Sequence, residues 1–383
     1  MRNISKTISF ILVFNILNLC AEVAESDKPN QKNASTQDLK VPEKLVTFYN
    51  SYGYELDDNW HIPLRVWISG DMDWARRMSL KGARKAIRHQ AGVEQLSDTE
   101  KKRFKFRAED FFRDSESDEV ISIQFDNDPV KQIYKIADSE GNLETDRNGN
   151  IEGTVVISKK KAMELLKHQN LLNGWLSFHV VAENQFGKGL TRLVSAKGLS
   201  IISDIDDTIK VTEIPSGTKT VLNNTFFKPF AATPNMLEMY RSFSDETSFH
   251  YVSGGPWQLH SGLTDFMFKE SVGFPNGSLH MKNVRTNLTE SESYQDFIKL
   301  IAGRATVEQK FQQIAQIFSH FPQREFILIG DSGEHDPEIF NTIKKRFPKQ
   351  VKEIRIRDIV NDAKLDPNRL KDMIVISTKN AKG

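Results

Sequence analysis

The spacing of apolar and polar positions divides the chain into two parts with different rhythms. Before residue 198, short alternating runs such as 120–125 and 175–182 are separated by turn residues, a pattern typical of antiparallel strands. After residue 198, apolar runs of strand length alternate with helical stretches such as 234–243 and 307–321. We therefore predict a small antiparallel β-sandwich followed by an α/β domain, in which a parallel sheet carries helices on both faces.

The segment ahead of the alternating strands adds a hairpin and two helices. Residues 48–69 predict two strands around an Asp-Asp-Asn turn, and residues 73–93 have the apolar spacing of a helix. The spaced residues of that helix are Trp74, Met78, Ala83 and Ile87. Ser97 and Glu100 form a capping-box pattern that predicts the start of a second helix.

The first residues have the composition of an export signal. Arg2 and Lys6 precede the apolar run 8–20, which is too short for a comfortable membrane span. We predict a cleaved signal peptide over residues 1–24 and hence a secreted or periplasmic protein; the alternative is a buried N-terminal helix. The predicted parts of the chain are then a disordered linker (25–40), an accessory domain with two helices and a β-sandwich (41–197) and a second domain (198–383).

Composition limits the partners. With 38% hydrophobic and 27% charged residues and a formal net charge of +1, the chain has no overall attraction to nucleic acid, and no nucleic-acid partner is expected. Residues 76–107 are an exception, with eleven Lys or Arg against three acidic residues and interleaved aromatic residues. This stretch fits an anionic membrane surface, and it equally fits two solvated helices whose aromatic side chains face the core. Nothing in the sequence predicts the oligomeric state.

Three apolar runs of the second part end in polar groups. Ligands of open α/β sheets bind beyond the carboxyl ends of the strands, so these groups are expected to meet. The groups are Asp204, Asp206 and Thr208 after the first run, Ser253, Gly254 and Gly255 after the second, and Gly330, Asp331 and Asp336 after the third. Lys310 lies near the start of the helix that leads into the third run. Together they predict a phosphoryl-transfer site; the alternative for the first group alone is a solvated acidic turn.

The sequence resembles a known family at these positions. "DIDDT" after an apolar strand matches the D-x-D-x-T signature of the haloacid-dehalogenase-like phosphatases. The segments "SDIDDTIKVTEI", "YVSGGPWQL", "FPNGSLHMK" and "FILIGDSGEHDPEIF" resemble the catalytic domain of the actin-patch-protein type of phosphatidate phosphatase, over residues 198–362. The family often has Ser-Asn-Ser-Pro-Trp where this chain has Ser-Gly-Gly-Pro-Trp, and His-Lys where this chain has Gln309-Lys310. The resemblance implies a haloacid-dehalogenase-like Rossmannoid fold and Mg²⁺-dependent hydrolysis of phosphatidate to diacylglycerol and phosphate.

The residue types fit that chemistry. Mg²⁺ prefers oxygen ligands, and Asp204, Asp331 and the backbone carbonyl of Asp206 would supply them. Asp204 is then the nucleophile that forms an aspartyl-phosphate, and Asp206 is the acid that protonates the leaving oxygen and later activates water. Lys310 adds positive charge beside the nucleophile and the transition state.

The remaining candidates concern substrate binding. The residues expected to bind the substrate phosphate are Thr208, Ser253, Gly254 and Lys310, and Thr208 is also expected to orient the loop. Residues 210–230 are the candidate cap that selects the leaving group. The substrate remains open between phosphatidate and soluble phosphomonoesters, and a membrane-binding module with a relict site is the non-enzymatic alternative.

Overall fold

The structure, a computed structural model, describes residues 43–268, 273–282, 298, 301, 307–376 and 378. The predicted signal peptide (1–24) and linker (25–40) lie outside the described residues. Within the described ranges, no helix combines the length and the apolar character that a membrane span requires.

The N-terminal part is rich in β-structure, with ten strands in one mainly antiparallel sheet. The strands are β1 (Lys44–Phe48), β2 (Ser51–Leu56), β3 (Asn59–Gly70), β4 (Asp114–Ser115), β5 (Ser122–Phe125), β6 (Ile133–Lys135), β7 (Asn150–Ser158), β8 (Trp175–Val180), β9 (Gln185–Phe186) and β10 (Lys188–Leu193). Their main order is β6-β5-β8-β10-β2-β3-β1-β9, with β4 and β7 also paired to β3. The predicted hairpin turn is present, with Asp57 and Asp58 at φ of 48° and 63°.

Alternation along the strands builds the core of this sheet. On β3, every second residue from Ile62 to Ile68 is buried, because successive side chains of a strand point to opposite faces. These residues share one core with Phe48 and Phe178, whose rings meet edge to face with centroids 5.0 Å apart. Strands from both ends of the sheet thus enclose one apolar interior.

Three helices accompany the N-terminal sheet: α1 (Trp74–Gln90), α2 (Asp98–Ala108) and α3 (Lys159–Gln169). The predicted capping box is confirmed, since the Ser97 hydroxyl accepts from the Glu100 amide and the Glu100 carboxylate accepts from the Ser97 amide. The spacing predicted for α1 holds only in part: Ala83 and Ile87 are buried, whereas Trp74 is 76% exposed. The first turn of α1 extends past the core that its later turns cover.

The second part is a parallel six-stranded sheet with the order β13-β12-β11-β14-β15-β16. The strands are β11 (Lys197–Ser203), β12 (Ser248–Pro256), β13 (Ser278–Lys282), β14 (Gln323–Asp331), β15 (Val351–Arg357) and β16 (Ile374–Ile376). The helices in the described ranges of this part are α4 (Thr218–Phe226), α5 (Met236–Arg241), α6 (His260–Phe268), α7 (Val307–His320), α8 (Asp336–Arg346) and α9 (Asp362–Leu365). The predicted mixed α/β architecture, with a β-rich N-terminal part and a parallel sheet after it, is confirmed, while the strands predicted as a sandwich pair into one sheet. The haloacid-dehalogenase-like fold and the domain boundaries stay predictions.

Both faces of the parallel sheet are buried. Ile201 and Ile329 belong to the core on one face, and their chain neighbours Ile202 and Leu328 belong to the core on the other. Continuous apolar strands of this kind are typical of parallel sheets covered on two sides.

Candidate active site

The sheet brings the ends of three predicted strands to one edge. β11 lies between β12 and β14 and pairs with both in parallel, so that Ser203 is level with Tyr251 and Ile329. Asp204, Ser253 and Asp331 therefore leave the sheet at neighbouring positions. The Asp204 amide continues the ladder by donating to the Ile329 carbonyl over 2.9 Å.

One side of this edge is an acidic cluster, formed by Asp204, Asp331 and Asp336. Carboxylate oxygens of all three lie within 4.8 Å of one another, and each residue is at most 1% exposed. The Lys310 ammonium reaches in from α7 and lies 2.7 Å from Asp204 Oδ1 and 2.5 Å from Asp336 Oδ1. If all three carboxylates are ionised, this single ammonium leaves two negative charges uncompensated.

A glycine allows Asp336 to join the cluster. A Cβ on Gly330 would overlap the Asp336 carboxylate, so any side chain at this position would displace it. Asp336 Oδ2 also accepts a hydrogen bond from the Asp331 amide over 3.2 Å, at the first turn of α8. The Asp331 amide thus holds the Asp336 carboxylate in place, and the absence of a side chain on Gly330 leaves room for it.

Burial of the ionised carboxylates destabilises the fold unless a cation besides Lys310 neutralises them. Burial raises the pKa of Asp204 well above its ordinary range, against the opposing effect of Lys310. Burial and the neighbouring carboxylate of Asp336 likewise raise the pKa of Asp331. Asp204 Oδ2 and Asp331 Oδ2 are buried and have no hydrogen-bond partner in the described part of the chain. Such oxygens are the groups that a metal ion would satisfy.

The Asp206 carboxylate has the opposite surroundings. Its Oδ1 atom accepts from the Thr212 hydroxyl over 2.6 Å and lies 2.8 Å from the Lys210 ammonium. Its Oδ2 atom accepts from the Ser253 hydroxyl over 3.2 Å. Burial alone would raise the pKa of Asp206, but Lys210 and these hydroxyls together lower it.

Asp207 explains how Lys210 and Thr212 reach Asp206. Asp207 adopts a left-handed conformation, with φ of 57°, and its carboxylate accepts from the amides of Thr212, Glu213 and Ile214 over 2.6–2.8 Å. Asp and Asn tolerate this conformation because their side chains hydrogen-bond the local backbone. The loop after β11 is thereby folded back over its own first residues.

A cleft opens beside Asp206. Its polar end contains Asp206, Lys210, Ser253 and Gly254. Apolar side chains form its walls: Ile214, Val221, Phe230, Leu259 and Leu263. Residues 210–230, predicted as the cap, therefore do line this cleft.

The structure brings together most of the predicted site residues. Asp204, Asp331 and Lys310 meet in the acidic cluster, while Asp206, Ser253 and Gly254 line the cleft. Thr208 is different, because it is fully buried away from the cleft lining and its carbonyl accepts from the Thr233 hydroxyl. The side chain of Asp206 faces Lys210 and Ser253, so the three clustered carboxylates are those of Asp204, Asp331 and Asp336.

Sequence reasoning missed Lys210 and Thr212. Both stand in the quoted segment "SDIDDTIKVTEI", at four and six positions after Asp206, but their contact with it depends on the loop that Asp207 folds back. Asp336, predicted only as one of the polar groups after the third run, is the first residue of α8 and also joins the cluster.

Comparison with known proteins identifies the class of this domain. Residues 199–358 match the family model described as phosphatidate phosphatase APP1, catalytic domain. The predicted resemblance to this family is confirmed, and the match supports the prediction of a phosphatase domain over these residues.

Two curated relatives agree. The phosphatidate phosphatase APP1 of Saccharomyces cerevisiae is 33% identical over 168 residues, which cover 43% of this chain and 26% of the yeast protein. An uncharacterized protein of Schizosaccharomyces pombe is 28% identical over 173 residues, or 44% of this chain and 27% of that protein. The chain thus matches about a quarter of the length of each relative.

The predicted secreted or periplasmic location is wrong. The relatives that support the family are a phosphatidate phosphatase and an uncharacterized protein of two yeasts, and neither of them points to export. The interpretation of residues 1–24 as a signal peptide loses its support with it. That interpretation used only local composition, and a short apolar run after two basic residues also occurs in sequences that are not exported.

Proposed function

We propose that this chain is a Mg²⁺-dependent phosphatidate phosphatase, which hydrolyses phosphatidate to diacylglycerol and phosphate through an aspartyl-phosphate intermediate. The observation that carries the proposal is the acidic cluster with Lys310, placed at the carboxyl edge of a parallel sheet inside an APP1-type catalytic domain. With this activity we also propose the haloacid-dehalogenase-like fold for residues 198–383 and an accessory role for residues 41–197.

The residues of the cluster fit a magnesium ion. They offer carboxylate oxygens only, two of which are buried without a partner, and they leave two negative charges beyond Lys310. Hard oxygen donors are what Mg²⁺ prefers. Asp204, Asp331 and Asp336 would hold it, with the backbone carbonyl of Asp206 as a further donor. The bound cation would offset the repulsion between the substrate phosphate and the carboxylates.

Asp204 is the nucleophile of the proposed reaction. Among the described residues, Lys310 alone donates to the Asp204 carboxylate, so the carboxylate is available to attack phosphorus. The Asp204 oxygen forms a bond to phosphorus while the bond from phosphorus to the leaving oxygen breaks. Lys310 stabilises the ionised form of the nucleophile, and charge on the transferring group is stabilised by the same ammonium.

Asp206 is the proposed acid and base. It lines the cleft in which the leaving group would lie, whereas Asp204 faces the acidic cluster. An incoming phosphate dianion repels the Asp206 carboxylate and raises its pKa, which favours the protonated form needed to protonate the leaving oxygen. After diacylglycerol departs, the ionised carboxylate takes a proton from the water that cleaves the aspartyl-phosphate.

Ser253 supports the phosphoryl group from β12. Its hydroxyl faces Asp206 and accepts from the Gly255 amide over 2.9 Å, which fixes the side chain at the edge of the cleft. The adjoining Gly254 lies on the cleft lining without a side chain to fill it. We assign Ser253 and the backbone at Gly254 to the phosphoryl oxygens, and Thr208 to the loop behind them.

Two observations support a lipid as the substrate. The yeast relative is named as a phosphatidate phosphatase. The cleft beyond Asp206 is walled by aliphatic side chains and Phe230, which suits the apolar part of a diacylglycerol.

The test is phosphate release from phosphatidate in mixed micelles and from a soluble aryl phosphate, with and without Mg²⁺. We expect Mg²⁺-dependent release from phosphatidate that greatly exceeds release from the soluble ester. Efficient turnover of the soluble ester alone would refute phosphatidate as the substrate, while the assignment as a phosphatase would stand. Release from neither substrate would leave the non-enzymatic alternative, a membrane-binding module with a relict site.

A further inference from the structure

The outer surface of α1 and α2 combines basic and apolar side chains. On α1, Trp74, Met78, Lys81 and Lys85 follow at helical spacing, so they share one face. Lys102, Lys105 and Phe106 are exposed on α2. These seven residues are here named the basic helix face.

This face points away from the protein because the other sides of both helices are buried. Ala83 and Ile87 of α1 and Phe104 of α2 belong to one core, which they share with Phe226 and Phe227 at the end of α4. The aromatic residues of the stretch therefore divide into two groups. Phe104 is fully buried in that core, whereas Trp74 and Phe106 are 76% and 43% exposed.

The positive charges of the face are available to a partner. Lys81, Lys85, Lys102 and Lys105 form no salt bridge with any other residue that the structure describes. The acidic residues nearby are already engaged, since Asp98 pairs with Lys101 and Glu100 closes the capping box. An anionic partner would therefore not compete with internal ion pairs.

The face adjoins the wall of the cleft. Arg107, next to the exposed Phe106, lies with its guanidinium 3.4 Å from the centre of the Phe230 ring and donates to the Thr225 and Lys228 carbonyls. Phe230 and Thr225 both line the cleft. One buried arginine thus separates the exposed face from the polar pocket that contains Asp206.

We propose that the basic helix face docks on an anionic lipid membrane. Exposed lysines attract acidic head groups, and the indole of Trp74, with Met78 and Phe106, enters the interface between head groups and acyl chains. An acidic protein or a nucleic acid would use the lysines but gain little from three exposed apolar side chains. That the docked face delivers lipid to the cleft rests on the proposed function; the membrane binding itself does not.

The test is flotation of the full chain on phosphatidylcholine vesicles with and without about 30 mol% phosphatidylserine, an anionic lipid that is not the proposed substrate. We expect binding only with phosphatidylserine, and weaker binding at high salt. The combined variant Lys81→Gln, Lys85→Gln, Lys105→Gln should lower the partition coefficient roughly 100-fold, since each lysine near the surface contributes about fivefold. Trp74→Ala should lower it severalfold by a contribution that salt does not screen.

A matched control removes three exposed lysines elsewhere: Lys135→Gln, Lys188→Gln, Lys349→Gln. This control should float like the wild type, and far-ultraviolet circular dichroism and thermal melting should show all variants folded. Turnover of a soluble substrate should be unchanged in both triple variants. The proposal would be overturned if the two triple variants floated equally, or if the wild type bound vesicles equally well with and without phosphatidylserine. If the wild type floats with phosphatidylserine as expected but has no phosphatase activity, the proposed function alone is contradicted.

Discussion

Asp204 and Asp206 stand two residues apart on one loop, yet their carboxylates have opposite surroundings. Asp204 faces two further carboxylates and one ammonium and retains a buried oxygen without a partner. Asp206 is surrounded by donors from Lys210, Thr212 and Ser253. The pKa of Asp204 is raised and that of Asp206 is lowered, each by the groups around it. Divergent environments of this kind are how one loop can carry a metal-bound nucleophile and a separate acid and base.

The largest expected effect comes from Asp204→Asn. The amide cannot form an acyl phosphate and is a poor metal ligand, so Mg²⁺-dependent phosphate release should fall by at least about 10³-fold. The measurement is the turnover of phosphatidate in mixed micelles. The exposed Asp245→Asn serves as a matched control and should retain wild-type turnover. Activity of Asp204→Asn within about tenfold of the wild type would exclude this residue as the nucleophile.

Metal binding by the acidic cluster can be tested without measuring turnover. The raised pKa of Asp331 means that its ionised form destabilises the metal-free fold at neutral pH, and this cost disappears as acid protonates the carboxyl. Asp331→Asn removes the charge and keeps an oxygen for the Gly333 amide. The metal-free variant should therefore melt higher than the metal-free wild type, by about 2–4 °C for a gain of ~1 kcal/mol.

Magnesium should reverse this order. Mg²⁺ at roughly 100 times its dissociation constant should stabilise the wild type by about 2–3 kcal/mol. The same concentration should hardly change the melting temperature of Asp331→Asn. The Asp245→Asn control should respond as the wild type does. An equal magnesium response in Asp331→Asn would show that the cation binds elsewhere.

Changes to the groups around Asp206, in the cleft, should have a smaller effect on activity. Lys210→Met keeps a long side chain beside Phe230 but removes the cation from Asp206. Burial then dominates, and the Asp206 pKa should rise. Hydrolysis of the aspartyl-phosphate needs ionised Asp206, so its acid limb should move to higher pH in single-turnover measurements.

Thr212→Val gives this prediction an internal scale. It removes one hydrogen-bond donor and no charge, so the acid limb should move in the same direction by a smaller amount. A limb that stays in place in Lys210→Met would mean that Asp206 does not act as the base in this step.

The elements of the site were predictable where a local pattern determines them. Apolar runs followed by Asp204, Ser253 and Asp331 predict three strand ends, and a parallel sheet must bring such ends to one edge. Lys310 was predictable because α7 leads directly into β14. The capping box at Ser97 was also readable, since it involves only four consecutive residues.

Other features depend on contacts that a linear pattern does not contain. Lys210 and Thr212 reach Asp206 only because the Asp207 carboxylate accepts hydrogen bonds from three backbone amides and so folds the loop back. Helical spacing placed Trp74 with Ile87, but the core under α1 ends before its first turn. Helix α3 went unpredicted because three lysines begin it directly after a strand. Each case turns on what the rest of the fold places beside the segment.

The most direct test of the account is to trap the intermediate in Asp206→Asn. Without the base, water should attack the aspartyl-phosphate about 10²–10⁴-fold more slowly, so the phosphoryl group should accumulate on the protein. An aryl phosphate is the suitable donor, because its leaving group needs no proton from Asp206. After a single turnover with Mg²⁺, mass spectrometry of the acid-quenched peptides should place one phosphoryl group on Asp204. Phosphate release without any modification, or modification of another residue, would contradict the account.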